Sequence, residues 1–276
     1  MLRRRSLLLG LSSLALYGCA SDGDVAQSDA METSLAELPL HVLMVQAVSP
    51  VHKALEPQLM LPVQAQAVAG NGTVPAVALA LGAALQKGQS ADVVLAPLAV
   101  LVQLQGQALV RPDSVQPLLR TPFVLVVQAG RPVPQIHTDS DVRQLLQRTR
   151  SLAYPSSDGS AFIEQSLFPQ LGGKEAMLAK SIKVFGPQVA QLVARGDAEI
   201  GLVARSELQG ASGITIVGPL PAPLGYASVY GAGIASHANS LPGAEALQRF
   251  YLREVAAHDW SGTGWESAVP AAQEGR

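Results

Sequence analysis

Four short polar stretches stand where an apolar run gives way to a helical period, and together they could hold an anion without any cation. They are Ser49 after Leu40–Val48, Gly70-Asn71-Gly72-Thr73 before Val74–Gln86, Ser156-Ser157-Asp158-Gly159-Ser160 before Ala161–Leu171, and Tyr230 in Ser228-Val229-Tyr230-Gly231. A helix N-terminus carries unpaired N–H groups and a partial positive charge, which makes it a ready anion site. Hydroxyls add donors, and glycines let the backbone approach closely. Taken singly, each stretch is an ordinary N-cap or turn. Their joint placement at the carboxyl ends of strands is where open α/β folds take ligands.

The elements that must position these groups are short. Strands are predicted at Leu40–Val48, Val63–Val68, Val93–Ala96, Phe123–Val127, Ile182–Phe185, Ile200–Val203, Ile214–Val217 and Ala227–Ala235. Helical periods lie at His52–Gln58, Val74–Gln86, Asp141–Arg148, Ala161–Leu171, Pro187–Arg195 and Gly243–Ala257. Such alternation predicts an α/β fold with mostly parallel strands. One pattern occurs twice. Leu85-Gln86-Lys87-Gly88 leads through Ser90-Ala91-Asp92 into Val93-Val94-Leu95-Ala96, and Val193-Ala194-Arg195-Gly196 leads through Asp197-Ala198-Glu199 into Ile200-Gly201-Leu202-Val203. Each is a helix closed by a basic residue and a Gly, then an acidic turn, then a buried strand. Two lobes on one plan are expected, joined at Arg120-Thr121-Pro122-Phe123 and at the stiff run Gly218–Gly225 (GPLPAPLG).

Composition narrows the function. The 276 residues are 48% hydrophobic and 14% charged, with a formal net charge of −2, so no basic field exists for nucleic acid or a polybasic membrane face. The five histidines (His41, His52, His137, His237, His258) show no metal-ligand spacing, and neither a metal nor a cofactor is expected. Gly210-Ala211-Ser212-Gly213 is not a nucleophile elbow, Gly172-Gly173-Lys174 lacks the rest of a phosphate loop, and Gly231-Ala232-Gly233 lacks the third Gly of a dinucleotide fingerprint. A non-enzymatic binding protein is therefore expected.

The N-terminus reads as an address. Arg3, Arg4 and Arg5 precede a ten-residue apolar run from Leu7 to Leu16, too short to span a bilayer and typical of a signal peptide over residues 1–18. Leu16-Tyr17-Gly18-Cys19 resembles the bacterial lipobox, so Cys19, the one cysteine, is the expected lipidation site. Residues 19–38 are small, polar and acidic, a flexible tether.

Residues 39–267 resemble the type II solute-binding proteins of ABC importers, and most closely the molybdate-binding subfamily. The resemblance rests on Val45-Gln46-Ala47-Val48-Ser49, the run from Lys87 to Leu95, the run from Val193 to Val203, the run from Val217 to Pro223 leading to Tyr230, and Gly264-Trp265-Glu266. It implies a two-lobed fold, each lobe a mostly parallel sheet flanked by helices, joined by two crossing strands. Lobe I is expected at 39–119 plus 221–276 and lobe II at 120–220. It further implies a small oxyanion such as molybdate or tungstate in the cleft, delivered to an importer permease by a monomeric, exported, lipid-anchored protein. A small organic acid, or a sensory or assembly role without transport, is the alternative. The contacts carried over are Ser49, Asn71, Gly72, Thr73, Ser157, Asp158, Gly159, Ser160, a backbone amide at Val203, and the hydroxyl of Tyr230. Asp158 departs from the family's pattern, since a carboxylate repels a dianion unless it faces away; a helix-capping role is expected for it.

Overall fold

The structure is a computed structural model that describes residues 39–68, 72–157 and 159–270. The signal segment, the tether, Cys19, Asn71 and Asp158 lie outside the described residues.

The chain opens with β1 (Leu40–Val45), buried on both faces except at His41, as a central parallel strand must be. A 3₁₀ turn (Gln46–Val48) follows, then α1 (Ser49–Leu55), whose Pro50 suits a first helical turn. That proline shortens the predicted strand Leu40–Val48 and moves Ser49 onto the helix. Next come β2 (Val63–Val68), α2 (Val74–Gln86), β3 (Val93–Pro97), α3 (Leu98–Gly106) and the long β4 (Gln116–Gln128). α4 (Asp139–Arg148) begins in a capping box, with Asp141 N donating to Thr138 Oγ1 at 3.2 Å and Thr138 N donating to Asp141 Oδ2 at 2.9 Å.

β5 (Leu152–Pro155) leads to α5, which starts at Gly159–Phe162, widens to a π turn at Ile163–Leu167 and ends at Phe168–Gln170. Then follow α6 (Lys174–Leu178), β6 (Ser181–Val184), α7 (Gly186–Arg195), β7 (Ile200–Ala204), a 3₁₀ turn at Arg205–Leu208 and β8 (Ile214–Pro219). β9 (Ala227–Ile234), α8 (Leu241–Ala257) and the short β10 (Glu266–Ser267) complete the described chain.

Two sheets share β4. The first runs β2-β1-β3-β9-β4, with β10 on β4's far edge; the second runs β6-β5-β7-β4-β8. The parallel pairs are β1–β2 and β1–β3 in one sheet and β5–β6 and β5–β7 in the other, while β9 and β4 enter the two sheets antiparallel. Each sheet therefore borrows its fourth strand from the segment that crosses between lobes. One core gathers Leu43, Leu81, Leu101, Tyr251, Trp260 and Trp265; the second lobe holds two smaller clusters, around Phe123, Leu167 and Phe168 and around Val126, Val189 and Val193. The molecule is two-lobed α/β, with two crossing connections: β4 itself, and the turn from β8 through Leu220 to β9.

Candidate functional site

Between the lobes lies a cavity of about 330 Å³. The first lobe contributes Val45, Gln46 and Ala47 at the end of β1, Pro50 of α1, Gly72 ahead of α2, Val74 and Val77 of α2, Pro97 and Val100, and Tyr230 on β9. The second contributes Ser156 and Ser157 after β5, Phe185, Gly186 and Pro187 at the start of α7, and Ser206, Glu207 and Gln209 after β7. Each parallel strand thus stops at the cavity and hands the chain to a helix whose first turn faces it.

The walls are mostly apolar and the polar groups mostly neutral. Among the described lining residues none is Lys, Arg or His, and Glu207 is the single carboxylate. Glu207, in the 3₁₀ turn after β7, packs against the first turn of α7, so close to Gly186 that any Cβ there would overlap the carboxylate. The positive end of that helix is thus matched by an internal anion. Ser157 Oγ is buried without a hydrogen-bond partner among the described residues.

The second-lobe turn is braced from behind. Gly159 packs flat on the Phe123 ring of β4, leaving no room for a Cβ. Phe162 stacks on Tyr226 at 4.5 Å and 11°, and Tyr226 meets Phe123 edge-on at 5.3 Å. Tyr154 OH donates to Glu164 Oε1 at 2.9 Å, and Lys183 Nζ donates to the same oxygen at 2.7 Å. The Lys183 bond holds the Glu164 carboxyl below the usual carboxylate range, while burial and then the Glu164 bond push the Tyr154 phenol up. In the first lobe, His52 of α1 sits 2.7 Å from Tyr251 OH of α8. Burial pushes His52 below its ordinary value, with Glu56 opposing, and burial pushes Tyr251 up.

The structure brings Gly72, Ser157 and Tyr230 of the predicted contacts to the cavity. Ser49 stands one residue before Pro50 and outside the lining; exposed Thr73 lies before α2 with no side-chain cap bond. Gly159 and Ser160 are buried behind the turn, and Val203 is fully buried in β7, paired with Val124. Sequence reading passed over Phe185, Gly186, Ser206, Glu207 and Gln209. Their common signal is the strand–turn–helix handover after Ile182–Phe185 and Ile200–Val203, the same signal that singled out Ser49.

The order and crossing of these strands agree with comparison to known proteins. A family model described as bacterial extracellular solute-binding protein matches residues 65–266. The chain belongs to that family. A Pseudomonas sp. protein named aconitate isomerase is 29% identical over 187 residues, 68% of this chain and 71% of its own. The substrate-binding domain assigned to a molybdenum ABC transporter of Clostridium difficile superposes with a TM-score of 0.64 at 14% identity, covering 83% of this chain and 98% of that domain. The Azotobacter vinelandii periplasmic molybdate-binding protein superposes with a TM-score of 0.52 at 17% identity, covering 77% and 92%. These structural likenesses carry the fold alone, two α/β lobes.

Proposed function

We propose that this solute-binding protein takes a small organic acid in its cleft, holding the carboxylate on neutral donors and the carbon skeleton on the apolar walls. The observation that carries the reading is the lining itself. Val45, Val74, Val77, Val100 and Phe185 face Ser157, Tyr230, Gln46 and Gln209 across about 330 Å³, a volume within the roughly 300–1,000 Å³ typical of organic-ligand sites. A bare tetrahedral dianion gains nothing from those apolar walls, whereas an organic acid buries carbon against them. The Pseudomonas relative named for a tricarboxylic acid supports the same class. Molybdate or tungstate, favoured by the neutral donors and by the structural neighbours, is the competing ligand.

Calorimetric titration with trans-aconitate, citrate and molybdate tests the choice. Heat on adding a carboxylate, with molybdate weaker, is expected; saturable binding of molybdate alone would reverse the assignment. A second reading, turnover of such an acid, is favoured by the relative's name and by Glu207, since an allylic proton shift needs a positioned base and no cofactor. Following the cis and trans isomers of aconitate in the presence of protein separates binding from turnover.

The proposal includes export and anchoring through Cys19, delivery to an importer permease, and action as a monomer. Closure would rotate residues 39–119 plus 221–276 against residues 120–220, and the separate cores on either side of β4 support it. Cys19→Ser should shift the protein from the membrane to the soluble fraction; unchanged fractionation would remove the anchor.

A further inference from the structure

The 3₁₀ turn after β7 has two faces. Ser206, Glu207 and Gln209 face the ligand cavity. Its back is held by the C-terminal segment of the other lobe through two contacts on consecutive residues, and the next residue of that segment holds a cavity side chain of β9. Gln209 Nε2 donates to the carbonyl of Thr263 at 2.6 Å. Gly264 lies so close that a Cβ would stand 2.6 Å from the backbone of Arg205 and Ser206, and its φ of +80° is a conformation that L side chains rarely adopt. Trp265 meets Tyr230, another cavity residue, edge-on at 5.0 Å.

The segment itself is anchored. Trp260 and Trp265 are both buried in the first lobe's core, Trp260 Nε1 donates to Val255 O at 2.9 Å, and Glu266 pairs with Arg120 on β4 at 2.8 Å. On the far side, Ser206 N donates to Thr121 Oγ1 of the crossing strand at 3.1 Å.

We infer that Trp260–Glu266 is a strap that positions the cavity wall: it is fixed in one lobe, and through Thr263, Gly264 and Trp265 it sets the placement of Gln209, Ser206 and Tyr230. These are positioning residues, since none of the three strap contacts lines the cavity. The inference rests on the reading of the cavity as the ligand site. Packed contacts of this kind respond in discrete steps, so a strap that fits one placement of the turn biases the hinge toward it. Both tryptophans of the chain lie in the strap, which gives it a spectroscopic signature of its own.

Two arms test it on the full chain. Without ligand, hydrogen exchange should speed up about tenfold in residues 205–209 of Gly264→Ala while β1 stays protected; unchanged exchange in 205–209 would overturn the strap. If Gly264→Ala does not fold, the pair Trp265→Phe and Trp265→Leu replaces it, the first keeping a ring edge on Tyr230 and the second removing it. With trans-aconitate or molybdate as probe, binding should shift tryptophan emission in the wild type, and affinity should fall about tenfold in Trp265→Leu and recover in Trp265→Phe. Calorimetric binding with constant emission and unaltered affinity in Trp265→Leu would overturn the strap while leaving the cavity reading intact. If neither probe binds, the cavity reading fails, and the exchange arm still decides the strap.

Discussion

The two lobes solve one problem in the same way and at very different depths. In each, the acidic residue just before the lobe's third parallel strand receives a backbone N–H from at or just before the start of its first: His41 N donates to Asp92 Oδ2 at 2.8 Å, and Arg150 N donates to Glu199 Oε2 at 2.9 Å. Asp92 is completely buried and also accepts from Asn239 N at 2.8 Å and Ser240 N at 3.3 Å. Glu199 is exposed and loosely bridged to Arg150 at 3.8 Å. The cause is chain direction. After the second crossing the chain returns to the first lobe and lays the start of α8 over Asp92, whereas Glu199 stays exposed. The repeated plan thus leaves one lobe locked by a buried carboxylate and the other held by a solvated one.

The largest expected effect follows from that contrast. Asp92→Ala leaves three backbone donors without a partner, a loss of about 3 kcal/mol or more in urea unfolding. Next is the second-lobe turn. Gly159→Ala forces Phe123 to move, at about 1–3 kcal/mol, and should weaken ligand binding with it. In the first lobe, Thr73→Ala removes an exposed side chain that makes no cap bond, and should leave the melting temperature within a degree or two of wild type.

Acid should loosen the lobes at different points. His52 is held below its unfolded value of 6.5, so the neutral form is the folded one; its contribution is present above pH 6.5 and is lost as pH falls below it. Glu164 is held below its ordinary 4.5, so its contribution is present above that value and is lost only as pH falls further. Hydrogen exchange should therefore show α1 opening as pH falls below 6.5 and before it reaches 4.5, with α5 still protected. Simultaneous opening, or an unchanged profile in His52→Gln, would break the comparison. A small effect is likewise expected for Glu199→Gln, within about 0.5–1 kcal/mol of wild type; a loss equal to that of Asp92→Ala would show that burial does not separate the two locks.

Much of this plan was legible because it is local. The Gly after a basic helix end and the acid before an apolar run mark both copies, and Gly88 and Gly196 adopt the expected positive φ, +79° and +80°. Elements whose character comes from elsewhere were not legible. The four residues of β5 carry too few alternations to register as a strand, and Pro117 and Pro122 disguise the first half of β4, which is a strand because β9 pairs with it. The uniformly apolar run Leu98–Val102 hides the helical period of α3. At the site, Gly72, Ser157 and Tyr230 were readable as polar groups at strand ends. Glu207 and Gln209 carry the same strand-end signal after β7, but only the crossing of two lobes brings them opposite Gly72. Gly159, expected among the ligand contacts, forms a flat seat for Phe123.

Ser157 is the group on which the account turns, since its hydroxyl is buried at the cavity and has no partner among the described residues. Calorimetry of trans-aconitate binding to wild type and to Ser157→Ala tests it directly. A hydroxyl donating to a charged ligand contributes about 1.5–3 kcal/mol, so affinity should fall roughly ten- to hundredfold in the variant with its fold intact. Wild-type affinity in Ser157→Ala would contradict a carboxylate held in this cleft.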